Sequence, residues 1–287
     1  MSESSFGEET RVERLGEGRW RGHFSPRWFG PPGPNGGFIA ALMLSAIRAE
    51  LDDAERLPRS LTLHYPQALR EGPAEVRLRT VRQGRSASFV EGEMTQGDRI
   101  GARALCVLSR DYASEVEFHT AAPRVAPPNP PLGAERGATD PSPPGPALAG
   151  RLVMEPRFGA RPFVGAEASE SGGWIKTRLP AELDPELLCL YCDAWWPAVF
   201  SHLTRPIMVP TLELTIHFRA PIEPTPNPHV LPHVLCRFTT ATASGGLVEE
   251  DGQLWDESGR LLAQSRQLAL LREPPQGKGS RKNKCVI

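Results

Sequence analysis

Hydrophobic and polar residues alternate in two short segments that lie about half the chain length apart. In residues 211–218 every second residue, from Leu212 to Phe218, is apolar and those between are polar, which predicts a strand with one polar and one apolar face. Residues 60–65 have a similar sequence, and each segment follows a mostly apolar stretch that predicts a helix. This repetition predicts an internally duplicated chain.

The first half is predicted to contain one buried helix and four strands. Asn35 is a favourable N-cap for a helix over residues 38–47, which are apolar on almost every side. A helix of this kind must be surrounded by other elements. Strands are predicted at 60–65, 74–82, 87–95 and 100–108, joined by hairpin-type turns. We therefore expect one helix held by a curved antiparallel sheet.

The second half predicts the same order of elements. Residues 151–158 and 174–179 are expected to be extended. Asp184 and Pro185 then form a cap and first-turn proline for a helix that runs past Trp195. The predicted strands that follow lie at 211–219, 230–240, 247–255 and 261–271.

The boundaries of the repeats divide the chain into four regions. We expect an N-terminal repeat at 1–118, a linker at 119–149, a C-terminal repeat at 150–273 and a disordered basic tail at 274–287. The linker is predicted from its proline pairs, because proline lacks an amide donor and fits neither a helix interior nor a central strand. In the tail, Cys285 is third from the end, whereas a prenylation signal requires a cysteine in the fourth position.

Composition excludes several classes of protein. The 287 residues carry a formal net charge of −1, which argues against a nucleic-acid partner. No apolar run approaches the roughly 20 residues of a membrane-spanning helix, so no membrane span is expected. The N-terminus has neither the basic nor the apolar part of a secretion signal, and five cysteines, an odd number, fit a reducing compartment. These features predict a cytoplasmic protein.

Cys189 and Cys192 form a C-x-x-C motif, but no second Cys or Cys/His pair stands at zinc-site spacing. They are interpreted as small apolar residues of a buried helix. No metal and no cofactor are expected.

Asp193 is the acid within the apolar second-half helix. Such a residue is unfavourable there unless another group pairs with it or the protein uses it, and the alternative is that it faces solvent or pairs locally. Pro197 cannot donate the helical hydrogen bond to the carbonyl of Asp193, so the helix is expected to bend or open at this turn.

At these residues the sequence resembles a known family. The segments 193–199, 209–218 and 262–267, together with Asn35, Gly36 and Gly37 before an apolar helix, are similar to those of acyl-CoA thioesterase II (TesB-like) proteins. The resemblance implies an α+β double hotdog fold, in which two antiparallel β-sheets each wrap a central helix and form a pseudo-dimer.

The resemblance also implies a reaction and its residues. Asp193, Thr211 and Gln267 match the family's positions that hold a water for attack on an acyl-CoA thioester, with Asp193 as general base. In the first half, the helix at 38–47 has no carboxylate, and Cys106 aligns with Gln267. We therefore expect one working site, which hydrolyses the thioester to free acid and CoA in lipid metabolism.

Substrate-binding residues are expected at the start of the first helix and beside Asp193. Amides at a helix N-terminus stabilise a developing oxyanion, and Asn35, Gly36 and Gly37 lie there; the alternative is that the glycines only let the loop turn tightly. Trp196 is a candidate wall of the acyl pocket, although aromatic residues on a buried helix are more often core.

Other functions remain open at this point. One is a non-catalytic acyl-thioester binding protein. Another is a hotdog dehydratase or hydratase, for which His64 and Pro73 have the outer spacing of the motif but Ala68 replaces its glycine. The acyl chain and the carrier, CoA or acyl-carrier protein, are not specified by the sequence, and a homodimer is compatible with the resemblance.

Overall fold

The computed structural model describes residues 4–31, 33–129, 146–222 and 232–273. Its α-helices are α1 (Phe6–Glu9), α2 (Gly36–Leu51), α3 (Pro185–Tyr191) and α4 (Val199–His202). Strands of the first half are β1 (Glu13–Gly16), β2 (Arg19–Phe24), β3 (Phe29–Gly30), β4 (Gly33–Pro34), β5 (Leu57–His64), β6 (Gly72–Gln83), β7 (Ala87–Gln96) and β8 (Arg99–Ser109). Strands of the second half are β9 (Leu152–Phe158), β10 (Glu170–Thr177), β11 (Thr211–Phe218), β12 (Val234–Thr239), β13 (Ala243–Ser244), β14 (Leu247–Trp255) and β15 (Leu261–Leu270).

Thirteen of these strands form one antiparallel sheet. Its order is β1-β2-β6-β7-β8-β5 in the first half, followed by β11-β15-β14-β12-β10-β9 in the second, with β13 paired to β14. The second half is thus the mirror of the first in strand order, and β5 and β11 join the two half-sheets edge to edge. The α+β double hotdog fold is confirmed.

The central pair of strands shows the duplication residue by residue. In the register of β5 and β11, Thr62 lies opposite Thr215, and their hydroxyl oxygens are 3.0 Å apart. His64 lies opposite Glu213, and the equivalent His217 lies opposite Ser60. A pseudo-twofold axis therefore passes between the two threonines.

Helix α2 forms the centre of the first half. Asn35 caps it by accepting a hydrogen bond from the amide of Phe38 at 3.0 Å, and Asp52 ends it in a left-handed conformation. Nearly every side chain from Phe38 to Ile47 is fully buried. Each large apolar side chain buried in this way contributes about 1.5–3 kcal/mol to folding. The predicted wrapped helix is present.

The second-half helix is shorter than predicted. The prediction that it runs past Trp195 is wrong, because α3 ends at Tyr191 and a separate short helix, α4, begins at Val199. The chain between them carries Asp193 and Pro197. The opening expected at Pro197 is present, and it starts at Cys192, five residues before the proline.

Part of the linker packs against the second half. The indole nitrogen of Trp255 donates to the carbonyl of Thr120 at 3.2 Å, and that of Trp174 donates to the carbonyl of Ala126 at 2.9 Å. Residues 130–145 of the linker and the predicted basic tail at 274–287 lie outside the described residues. None of the helices in the described ranges is long and apolar enough to cross a membrane.

Candidate active site

The end of α3 brings Asp193 to the first-half helix. Pro197 has no amide hydrogen, so the carbonyl of Asp193 lacks its helical donor. The side-chain nitrogen of Asn35 donates to this carbonyl at 2.7 Å. A buried carbonyl left unpaired costs about 1–3 kcal/mol, so this contact compensates for the broken helix. One side chain therefore caps α2 and also holds the end of α3.

The carboxylate of Asp193 accepts hydrogen bonds from three directions. Its Oδ2 accepts from Asn35 Nδ2 at 2.9 Å and from the amide of Gly37 at 3.0 Å, while its Oδ1 accepts from Gln267 Nε2 at 2.6 Å. The pKa of Asp193 is nevertheless raised, because loss of solvation by burial outweighs the hydrogen bonds from Gln267, Gly37, Gly36 and Asn35 that lower it. A half-buried carboxylate of raised proton affinity is suited to accept a proton.

Gln267 connects Asp193 to Thr211. The same Nε2 that donates to Asp193 lies 2.9 Å from Thr211 Oγ1, so it donates to both groups. Strands β11 and β15 are paired, with Leu214 opposite Gln267, and the register shift between Thr211 and Glu213 brings the start of β11 to this point. The structure thus places the three side chains named from the sequence in one cluster.

The orientation of the Gln267 side-chain amide leaves one hydrogen-bond acceptor and one donor without a partner in the cluster. A carboxylate only accepts hydrogen bonds, so the NH₂ group of Gln267 must face Asp193. The amide oxygen of Gln267 remains as an acceptor, and the hydroxyl hydrogen of Thr211 remains as a donor.

Gly36 and Gly37 allow α2 and α3 to meet closely. A Cβ atom at Gly37 would lie 2.4 Å from the carbonyl oxygen of Cys189, and one at Gly36 would lie 2.9 Å from Asp193 Oδ2. The glycines are needed for contact between the helices, whichever role they have toward a substrate. Since the amide of Gly37 is bonded to Asp193, the helix N-terminus supports the carboxylate directly.

Tyr65 is part of this site and was not predicted from the sequence. Its hydroxyl donates to the carbonyl of Gly36 at 2.9 Å, which fixes the first turn of α2. The pKa of Tyr65 is raised by burial and by the negative charge of Asp193, so the hydroxyl stays a donor at neutral pH. The sequence signal was the repeat alignment, in which Tyr65 stands where the second half has Phe218.

The two tryptophans lie in the loop that follows Asp193. Trp195 is buried and Trp196 is half-buried against the core, with ring centroids 5.1 Å apart. The carbonyl of Trp196 accepts a hydrogen bond from Ser171 Oγ at 2.9 Å. Among the described residues, neither indole N–H has a hydrogen-bond partner.

The equivalent positions in the first half lack the glutamine and the threonine of the cluster. Leu61, the equivalent of Leu214, lies opposite Cys106, so Cys106 stands where Gln267 does. Pro58 pairs with Leu108 as Thr211 pairs with Ala269, so proline replaces the threonine. The geometry agrees with the expectation of one working site.

An ion pair lies at the other end of the paired helices. Arg48 of α2 donates to both carboxylate oxygens of Glu186 of α3, at 2.9 and 2.7 Å. Asp184 caps α3 through the amide of Leu187 at 2.7 Å, and burial together with the charge of Glu186 raises its pKa to about 7. This end joins the helices, whereas the Asp193 end carries the candidate chemistry.

The four cysteines in the described ranges are buried thiols. Cys189 and Cys192 are free, and burial raises the pKa of Cys192 to about 12, so the thiol is protonated and unreactive at neutral pH. In the part of the chain that the structure describes, no three His, Cys, Asp or Glu side chains are grouped closely enough to bind a metal ion.

Two family models match the chain. The acyl-CoA thioesterase C-terminal domain matches residues 123–271, and the acyl-CoA thioesterase N-terminal domain matches residues 24–109. An uncharacterized protein of Mycobacterium tuberculosis (strain ATCC 25618 / H37Rv) is 26% identical over 279 residues, which cover 88% of this chain and 90% of that protein.

Solved structures share the fold. A conserved protein of unknown function with a hot dog fold from Alicyclobacillus acidocaldarius has a TM-score of 0.78 and 24% identity, covering 95% of this chain and 100% of its own. The acyl-CoA thioesterase II TesB2 from Mycobacterium marinum has a TM-score of 0.72 and 18% identity, covering 94% of this chain and 99% of its own. At these identities the likeness establishes the architecture alone.

Proposed function

Because this chain belongs to the acyl-CoA thioesterase family, we propose that it hydrolyses acyl-CoA thioesters to a free acid and CoA. The observation that carries the proposal is the direct contact of Gln267 with both Asp193 and Thr211. These groups supply a base, an acceptor and a donor at one point, which is what the activation of a single water requires.

In the proposed mechanism the water is held by all three side chains. One water hydrogen is directed to the carboxylate of Asp193, and the other is donated to the amide oxygen of Gln267. The hydroxyl of Thr211 donates to one lone pair of the water, and the second lone pair is left to attack the thioester carbon. Thr211 and Gln267 position the water, and Asp193 takes its proton.

The bonds and protons balance without any further reactant. The water oxygen forms a bond to the carbonyl carbon while its proton moves to Asp193, and the carbonyl π electrons move to the oxygen. When the tetrahedral intermediate collapses, the carbon–sulfur bond breaks and the thiolate of CoA leaves. The proton on Asp193 is then returned to the thiolate sulfur, which restores the base.

The remaining candidate residues form the walls of the site in this proposal. Asn35, Gly36 and Gly37 form the side where the two helices meet, against which the thioester group lies. Trp196, half-buried against the core, lies beside the acyl group and forms part of its wall. The same site accepts an acyl group from CoA or from an acyl-carrier protein.

We place the reaction in lipid metabolism in the cytoplasm. The four described cysteines are buried and free, which fits a reducing compartment. A homodimer through sheet edges remains part of the proposal.

Release of free thiol from a panel of acyl-CoA and acyl-carrier thioesters tests the function. Replacement of the base in Asp193→Asn should lower kcat about 10²–10⁴-fold. Asp251→Asn is the matched control, because Asp251 is 46% exposed and pairs with Arg266 at the surface. Thiol release that survives Asp193→Asn unchanged contradicts the mechanism.

Two further outcomes identify the alternatives. Tight binding of acyl-CoA without thiol release would indicate a non-catalytic binding protein. Addition of water to an enoyl-CoA, without thiol release, would indicate a hydratase. His64, the histidine of the hydratase motif, is exposed, with 62% of its side chain accessible.

A further inference from the structure

Glu250 is an inward-facing acid directly beside the Asp193 cluster. It lies on β14 opposite Gln267 of β15, so both side chains project from the same face of the sheet. Its neighbours on that face, Val248 and Gly252, are buried against the interior. Glu250 itself is half-buried, and no motif in the sequence identified it.

One oxygen of Glu250 is fixed and the other is free. Oε2 accepts a hydrogen bond from the amide of Ala198, which follows Pro197 in the loop that carries Asp193. Oε1 makes no hydrogen bond to any residue in the described ranges. The carboxyl group is therefore held in place by one oxygen, and its other oxygen has no protein partner in the described ranges.

The duplicated half provides an internal comparison. Cys106, the equivalent of Gln267, lies opposite Val90, so valine stands in the first half where the second has Glu250. Val90 is fully buried. The acid is therefore present only in the half that carries Asp193, Thr211 and Gln267, which favours a functional role over a role in the fold.

Among the described donors that surround Asp193, none is left free for the thioester carbonyl oxygen. Negative charge develops on this oxygen during attack and needs hydrogen-bond donors. Asn35 Nδ2, the amide of Gly37 and Gln267 Nε2 all donate to Asp193 instead. The hydroxyl of Thr211 is assigned to the water.

We propose that Glu250 is a further catalytic residue, whose carboxyl group donates a hydrogen bond to the thioester carbonyl oxygen as this oxygen becomes negative. The proposal rests on the proposed thioester hydrolysis. Side chains directly opposite on neighbouring strands have Cβ atoms about 4.5–5.5 Å apart, and Glu and Gln have equal length. A carbonyl attacked by the water at Gln267 is therefore within reach of Glu250 Oε1.

A donor role requires that Glu250 keep its proton near neutral pH. The pKa of Glu250 is raised to about 8: burial is the largest cause, the hydrogen bond from the amide of Ala198 opposes it, and the charges of Asp193, Glu249 and Asp251 add to it. Gln267, opposite on β15, is neutral. His202 on α4 is exposed, with its ring nitrogen 2.9 Å from the carbonyl of Ala166.

The sign of the pH dependence follows from these charges. Below about pH 8 the carboxyl group is protonated and can donate. Above that pH it becomes a carboxylate, which loses the donor and places a negative charge beside the developing oxyanion. The rate should therefore fall on the alkaline side.

The test compares kcat of the full chain and two variants from pH 6 to pH 10. Glu250→Gln keeps a donor but cannot ionise, so it should retain most of the rate and lose the alkaline decline. Glu250→Val, the residue of the first half, should lower kcat roughly 10²-fold, as removal of one oxyanion donor does. Asp251→Asn is the control on the same strand: it should keep the rate, and because it removes one charge that raises the pKa of Glu250, the alkaline decline should persist and move to lower pH.

Binding of a ketone analogue of acyl-CoA, with methylene in place of sulfur, separates this inference from the hydrolysis. Calorimetry should show weaker binding to the wild-type protein above about pH 8, and no such change with Glu250→Gln. A Glu250→Gln variant that keeps the pH dependence, or that is as impaired as Glu250→Val, overturns the inference. Pure binding without hydrolysis would refute the proposed function, while the analogue data still decide the role of Glu250.

Discussion

Replacement of Gly37 by alanine tests whether close contact between α2 and α3 holds the candidate base in place. The added methyl group would lie 2.4 Å from the carbonyl oxygen of Cys189 and 2.9 Å from that of Leu190, whereas Cβ contacts under 3.0 Å essentially do not occur. Both neighbours are backbone atoms of α3, so neither can rotate away. The helices must separate by about half an ångström or more.

This displacement is sufficient to break the bond between Gly37 and Asp193. The amide of Gly37 lies 3.0 Å from Asp193 Oδ2. At about 3.6 Å such a contact no longer counts as a hydrogen bond. Because this bond lowers the pKa of Asp193, its loss should raise that pKa further.

Three measurements follow from Gly37→Ala. Overpacking of this kind costs about 1–3 kcal/mol, which should lower the melting temperature by roughly 2–4 °C for each kcal/mol. A misplacement of about 1 Å costs about 10²-fold in rate, so a shift of about half an ångström at the base should lower kcat about 10-fold. The acidic limb of the pH–rate profile should also move to higher pH.

Gly7→Ala is the matched control for this variant. A Cβ atom at Gly7 would have nothing within 4 Å, so stability and kcat should stay at wild-type values. A Gly37→Ala variant with wild-type kcat and an unmoved acidic limb would refute the reasoning, because the two helices would then not determine the position of Asp193.

Three other predictions concern the same helix pair. Asn35→Ala removes the cap of α2 and the donor to the carbonyl of Asp193. The free energy of unfolding should therefore fall by about 0.5–2 kcal/mol, and kcat should fall with it. A denaturant titration that shows no loss of stability would contradict the double role of Asn35. Arg48→Gln leaves Glu186 without its cation. Because the Arg48 side chain is 38% exposed, the loss should be about 1–2 kcal/mol of unfolding free energy at wild-type kcat, and a large kcat loss in the folded variant would argue against separate roles for the two helix ends. Asp193 must be ionised to accept a proton, and its pKa is raised. As pH is lowered, kcat/KM should therefore begin to fall at a pH above the ordinary aspartate pKa. An acidic limb centred at or below the ordinary aspartate pKa would contradict the role of burial.

The repeated elements could be predicted because their signals are local. The strands observed at Gly72–Gln83 and Ala87–Gln96 agree within two residues with the predicted bounds, since apolar alternation and turn residues are properties of each segment. The same is true of β11, where Leu214, Ile216 and Phe218 are buried as the pattern indicated. The contact of Asp193, Thr211 and Gln267 was expected only from the family resemblance.

Features that depend on distant residues were not predicted. Beyond the early end of α3, the carbonyl of Asp193 accepts a hydrogen bond from Asn35, 158 residues away in the chain. Local pattern could show that Pro197 disturbs the helix, but not which group would replace its lost bond. The strand β2 was also missed, although Trp20 and Phe24 are buried on one face and alternate with exposed residues.

The two halves of the repeat differ at positions that can be compared only when the strand register is known. Comparison of the halves at every paired position would have separated Tyr65 from Phe218 and Glu250 from Val90. In a duplicated chain with one candidate site, polar residues that are absent from the other half point to chemistry more than to fold. This comparison requires the strand register, which the structure provides.

Single-turnover hydrolysis in water labelled with heavy oxygen tests the general-base role of Asp193 most directly. With enzyme in excess over acyl-CoA, the released acid should carry one labelled oxygen, and the peptide that contains Asp193 should carry none. An unlabelled acid, together with label in the carboxyl group of Asp193, would contradict the general-base role, because Asp193 would then have attacked the thioester itself.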